Sequence, residues 1–159
     1  MPKRVTTLVV LVAAAAAFLP SALAAAAPEG TMVLTARFEP RSMFKVGAGR
    51  HGPSPGETIV FSTSLTREGK AAGRGEFVQT IVDPRFRGVS TTADLLLPDG
   101  TIELQGAGLS SRPPGGAKPS RETDMAIVGG TGAYSGAGGS AGLSPAGPRK
   151  QRLELSFDR

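Results

Sequence analysis

The stretch Met125-Ala126-Ile127-Val128-Gly129-Gly130-Thr131-Gly132-Ala133-Tyr134-Ser135-Gly136-Ala137-Gly138-Gly139 decides how this chain folds. A short apolar run that ends in clustered glycines reads as a buried strand entering a tight turn. Only glycine takes positive φ without steric cost, so Gly129, Gly130 and Gly132 are expected to carry the reversal, with Gly136 following as part of the same turn. Tyr134, the sole tyrosine of the chain, sits inside it.

A nucleotide site is the rival reading. Gly130, Gly132 and Gly136 after a strand make a loose dinucleotide fingerprint, but such a site needs a helix whose N-terminus holds the pyrophosphate inside a βαβ unit. Residues 136–148 are Gly, Ala, Ser and Pro with a single Leu, a composition hostile to a helix. No Gly-Lys-Ser/Thr follows, so a phosphate loop is excluded, and no cofactor is expected.

Outward from the turn, the remaining runs are short and strand-like. Residues 32–39, 58–65, 76–82, 89–97, 101–109, 123–128 and 152–157 are β-branched, aromatic or alternating, and each is bounded by Gly, Pro or Asp. Pro98-Asp99-Gly100 is a strong hairpin turn between two of them. A long loop is expected from Pro40 to Pro55-Gly56, and another, rich in Pro and Gly, over residues 111–120. No helical period is sustained over the length a helix needs. About eight strands without helices predict an all-β antiparallel sandwich or closed barrel.

The N-terminus reads differently. Lys3 and Arg4 precede an apolar run broken by Pro20, followed by Ser21-Ala22-Leu23-Ala24. That is the pattern of a secretory signal peptide over residues 1–27, leaving one domain over 28–159. The run is shorter than the roughly 20 residues that span a bilayer, so no stable membrane anchor is expected after cleavage. The exported product is expected to be extracytoplasmic. Losing Lys3 and Arg4 lowers the net charge from +5 to +3. With basic residues scattered except at Arg149-Lys150-Gln151-Arg152, nucleic-acid binding is not expected.

The chain has no cysteine, which excludes disulfides, thiolate nucleophiles and thiolate metal sites. His51 is its single histidine and lies in a Gly- and Pro-rich loop. A Ser-His-acid triad or a histidine-based metal site is therefore not expected.

Three blocks, in order, carry a resemblance to the allene oxide cyclase and dirigent barrel superfamily. They are the turn from Gly129 to Ala137, the hairpin Leu96-Leu97-Pro98-Asp99-Gly100-Thr101-Ile102-Glu103-Leu104-Gln105-Gly106, and the stretch from Pro55-Gly56-Glu57 through Phe61 and Leu65 to Gly73-Arg74-Gly75-Glu76-Phe77. The resemblance implies an eight-stranded barrel with a cavity, association as a homo-trimer, and a small apolar ligand. It also implies catalysis, if any, of an isomerase type in which the cavity steers cyclisation or coupling by shape.

By position, Thr63 stands where the cyclases have an asparagine and Gln79 where they have a cavity cysteine. Glu39 is the counterpart of a first-strand glutamate, and Gly138 replaces an arginine of the dirigent turn. The ligand-lining candidates are Arg37, Glu39, Thr63, Gln79 and Tyr134. Strand alternation leaves two options for the first strand: Arg37 and Glu39 form a polar pair near the cavity mouth, or they face outward while Leu34, Ala36 and Phe38 face in. A non-catalytic extracytoplasmic barrel with a binding or structural role is the alternative function. A wide apolar cavity favours the first function, and an interior plugged by Phe, Leu and Ile favours the second.

Overall fold

Alternation of apolar with polar residues produces nine antiparallel strands in the computed structural model, which describes residues 29–47, 54–83, 88–109 and 123–158. They are β1 (Gly30–Phe38), β2 (Phe44–Val46), β3 (Thr58–Arg67), β4 (Lys70–Asp83), β5 (Gly88–Leu97), β6 (Gly100–Leu109), β7 (Thr123–Gly130), β8 (Gly139–Pro145) and β9 (Lys150–Phe157). Hairpin neighbours pair from β3 through to β9; β9 then pairs with β1, and β1 returns to β3, with Ala36 opposite Leu65. Eight strands thus close into a barrel, which removes the unpaired edges an open sheet would expose. The chain is an all-β closed antiparallel barrel. The proposed leader, His51 and the 111–120 loop lie outside the described residues.

Two elements differ from the sequence expectation. The loop after Pro40 is not wholly irregular. A 3-10 turn at Pro40–Ser42 kinks the chain, and β2 then adds to the first half of β3, with Phe44 opposite Val60. The kink is held by Ser42, whose hydroxyl donates to the Glu39 carbonyl at 2.7 Å and accepts from the Ser62 amide at 2.9 Å. The other is β8, which runs through the glycine-rich segment after the turn. Its Gly, Ala and Ser residues have little strand propensity of their own, and pairing with β7 and β9 on both sides supplies the stability.

The turn itself needs a correction. Gly132 and Gly136 adopt positive φ, at 61° and 76°, but Gly129 and Gly130 do not; they end β7 as extended residues. Gly130 is required for space instead. A Cβ there would lie 2.6 Å from the Tyr134 carbonyl oxygen and 2.5 Å from that of Thr101. The turn is stitched to the β5–β6 hairpin by Thr131 N–H to Thr101 C=O at 2.8 Å and Ala133 N–H to Asp99 C=O at 2.9 Å. A three-residue 3-10 turn, Gly132–Tyr134, follows the glycines, and the next strand is antiparallel. This is not the βα junction of a nucleotide fold.

Candidate functional site: a barrel interior divided into a packed end and an open end

Register and burial together show which residues face inward. Leu34, Leu65, Leu95, Ile102, Leu153 and Leu155 are at most 1% exposed, and all belong to one face of their strands. Each such side chain contributes about 1.5–3 kcal/mol by leaving water. Leu65, Leu95, Ile102 and Leu155 lie toward the glycine-turn end of their strands and plug it, and Leu34 and Leu153 lie near the middle of theirs.

Toward the other end the same inward face changes size. Ala36, Thr63, Thr91, Ala93, Gly106 and Gly108 stand where the packed half has Leu and Ile. Small residues on four strands, β1, β3, β5 and β6, thin the inward side chains here, with Met125 lying over Gly106 and Ile81 buried on the same face; the space they border is the candidate chamber. Its inward aromatic and polar residues are correspondingly less covered: Phe38, Phe61 and Gln79 are half-buried, whereas Phe77, one level deeper, is fully buried. Phe38 meets Phe61 edge-on at 5.5 Å between centroids, and Phe61 stacks on Phe77 at 5.0 Å. An aromatic ladder over β1, β3 and β4 thus forms one wall.

The structure places two of the sequence candidates on this inward face, on either side of the Phe61–Phe77 pair. Thr63 is buried, opposite Phe38 on β1 and Gly75 on β4, and its hydroxyl approaches the Gly75 carbonyl at 3.5 Å. Gln79 faces inward between Ile59 and Thr91. Arg37 does not join them. With Ala36 and Phe38 inward, it points outward and exposed, opposite Ser64 and Lys150. Glu39 follows the strand half-buried, its amide donating to the Ser62 carbonyl at 3.2 Å, and no ion pair joins it to Arg37 among the described residues.

Sequence reasoning missed Thr91 and Glu57. Thr91 is buried on the chamber wall, but the run ending Leu95-Leu96-Leu97 does not alternate, so its inward face was not readable. Glu57 is 3% exposed at the foot of β3. Its carboxylate accepts from the Ser54 amide at 3.4 Å and lies 3.8 Å from the Lys45 ammonium, so it secures the loop into β3. A charged residue in a Pro-Gly-Glu turn gives no sequence signal of burial. Among the described residues no cluster of three His, Asp or Glu is placed to hold a metal ion.

Tyr134 lies at the opposite, packed end. Its ring is buried and stacks on Phe157 at 6.3 Å. Burial is the main cause that raises its phenol above the ordinary 10.0; the Asp99 carboxylate adds to the rise and the Arg67 guanidinium opposes it. Between pH 10.0 and the raised value the folded chain keeps a proton that the unfolded chain has released. The stability contributed by Tyr134 is therefore whole below pH 10.0 and is lost as pH rises through the folded value. With one tyrosine in the chain, tyrosinate absorbance reports this group alone. Its midpoint is expected above 10.0 in the folded protein and close to 10.0 in denaturant. Coincident midpoints would show that the ring is not desolvated.

The chain shares its fold with the allene oxide cyclase and dirigent-like barrels. Among solved structures it is similar to a pyocyanin demethylase, with 23% identity over 80% of this chain and 99% of that one and a TM-score of 0.65. It is similar to a pterocarpan synthase dirigent protein, with 22% identity over 87% and 92% of the two chains and a TM-score of 0.59. The Diels–Alderase AbmU from Streptomyces koyangensis matches with 20% identity over 80% of this chain and 64% of that one, at a TM-score of 0.58. No protein-family model and no curated protein sequence matches the chain.

Proposed function

We propose that the barrel binds a small, largely apolar ring-containing molecule in the chamber walled by Phe38, Phe61 and Phe77, and that it steers cyclisation or coupling of that molecule by shape. The observation that carries this reading is the change of the inward face from Leu and Ile to Ala, Thr and Gly at one end of the barrel. A barrel serving only as a scaffold would fill both halves, since an unfilled apolar volume forfeits dispersion contacts.

Thr63, Gln79 and Thr91 on this inward face are neutral, and the buried Glu57 carboxylate, which continues the same face at the foot of β3 opposite Ile81, lies 3.8 Å from the Lys45 ammonium. Neutral hydrogen-bonding groups on apolar walls suit orientation of a bound molecule. A near-attack conformer held in such a pocket removes much of the entropic barrier to ring closure. The demethylase, synthase and Diels–Alderase among the structural neighbours are named for different reactions, so the fold leaves the reaction to the lining. Export of the mature chain would place this activity outside the cytoplasm.

Gly108 provides the test. A Cβ there makes only an ordinary 3.5 Å contact with the Thr123 methyl, so a larger side chain enters the chamber without displacing backbone. Native mass spectrometry of the purified protein is expected to show a co-purifying apolar ligand. Thermal melts against fatty acids and phenolics are expected to rise by what about 2–3 kcal/mol of ligand linkage gives at a hundredfold excess over Kd. Both signals are expected to vanish in Gly108→Leu. A wild-type protein with no ligand and no shift across the panel would sink the reading.

A further inference from the structure

We propose that the packed end of the barrel holds a second binding site, for a small neutral molecule bearing a carbonyl oxygen, in the cavity beneath the β3–β4 and β5–β6 turns beside Tyr134. The cavity has a volume of about 260 Å³, close to the lower limit of about 300 Å³ for ligand pockets. Its floor is apolar, formed by Met32, Leu34, Ala72 and Leu97, and its rim is polar. It lies at the end of the barrel opposite the chamber, with the leucine plug between them.

The rim selects the ligand's chemistry. The Tyr134 ring is buried, yet its residue lines the cavity and its hydroxyl makes no hydrogen bond to another described residue. At neutral pH the phenol is protonated, so its hydroxyl can donate. The guanidinium of Arg67 and the ammonium of Lys70 are further donors on the same rim. An oxygen acceptor therefore finds several donors. The carboxylates of Glu68 and Asp99 share the rim and balance the two cations, so a net anion gains little and a neutral carbonyl keeps its hydrogen bonds.

The rim is also held in place. Glu68 and Gly69 turn the β3–β4 hairpin at φ 51° and 78°, and Asp99 is tied through its carbonyl to the glycine turn that carries Tyr134. A site on such turns is largely formed before a ligand arrives, which lowers the ordering cost of binding.

Tyr134 is the only tyrosine, so ring-labelled tyrosine gives nuclear magnetic resonance signals from this cavity alone. Titration of the full chain with cyclohexanone is expected to move those signals saturably. Arg67→Gln, at an exposed turn position, is expected to weaken binding about tenfold, the loss of one charge-assisted hydrogen bond. Cyclohexanecarboxylate is expected to bind more weakly than the ketone. Gly108→Leu, which fills the other chamber, is expected to leave the response unchanged, so this site stands or falls separately from that one. No saturable movement, an equal response to cyclohexane, tighter binding of the carboxylate, an unchanged affinity in Arg67→Gln, or loss of the response in Gly108→Leu would each overturn the proposal.

Discussion

Replacing Gly130 by alanine is expected to cost about 3 kcal/mol or more and to lower the melting temperature by on the order of 10 °C. The new Cβ would meet two carbonyl oxygens, those of Thr101 and Tyr134, and the Tyr134 Cβ at 2.8 Å. The two carbonyls belong to backbone fixed on both sides, so no rotamer change relieves the contact. Gly136, in the same turn, is the control. It has a positive φ of 76° but open space where a Cβ would go. Gly136→Ala is expected to cost only the left-handed backbone term, about 1 kcal/mol. Comparable urea midpoints for the two variants would show that the turn is not locked onto the β5–β6 hairpin in the way described.

Phe77→Ala is expected to destabilise the barrel by about 3–5 kcal/mol. Phe77 is 2% exposed and forms the inner end of the aromatic ladder, stacked on Phe61. Gly75 next to it is bare because a Cβ would lie 2.8 Å from the Phe77 ring and 2.6 Å from the Thr63 hydroxyl, so the ring already fills its space. Truncation leaves a void continuous with the chamber. Phe77→Leu keeps most of the volume and is expected to cost less than about 1.5 kcal/mol. Denaturant melts of the two variants separate the loss of packing from the loss of aromatic contact. An alanine variant within about 1 kcal/mol of wild type would mean that this wall is not packed as observed.

These two sites also show where sequence is informative. The β5–β6 hairpin was readable from Pro98-Asp99-Gly100, because a tight turn imposes strict backbone demands that few residues meet. Likewise β7 and its turn were readable from an apolar run ending in glycines. The placing of β8 was not, since Gly139-Ser140-Ala141-Gly142 has no propensity that outweighs its glycines. Its strand exists because β7 and β9 on either side leave a slot whose hydrogen bonds it completes.

The site divides in the same way. Thr63 was marked by its place within a recognisable block and Gln79 by its position just past one, and both lie on the inward face of their strands. The exclusion of Arg37 from it follows from the pairing of Ala36 with Leu65 and of Phe38 with Thr63, a long-range register. Either face of β1 could have served as its core face on local grounds, and a shift of one residue would exchange them.

By itself, then, the amino-acid sequence determined the all-β class, the hairpin turns, the absence of cysteine chemistry and the likeness to the cyclase and dirigent barrels. Those depend on local backbone demands and on which side chains are present at all. The tertiary structure alone decided that the barrel closes through β1 and β3, that large aliphatic side chains fill one half of the interior while smaller ones line the other, and that Tyr134 belongs to the packed end. Those depend on side chains far apart in the chain sharing one interior, where the sum of their volumes, not any single residue, sets what space remains.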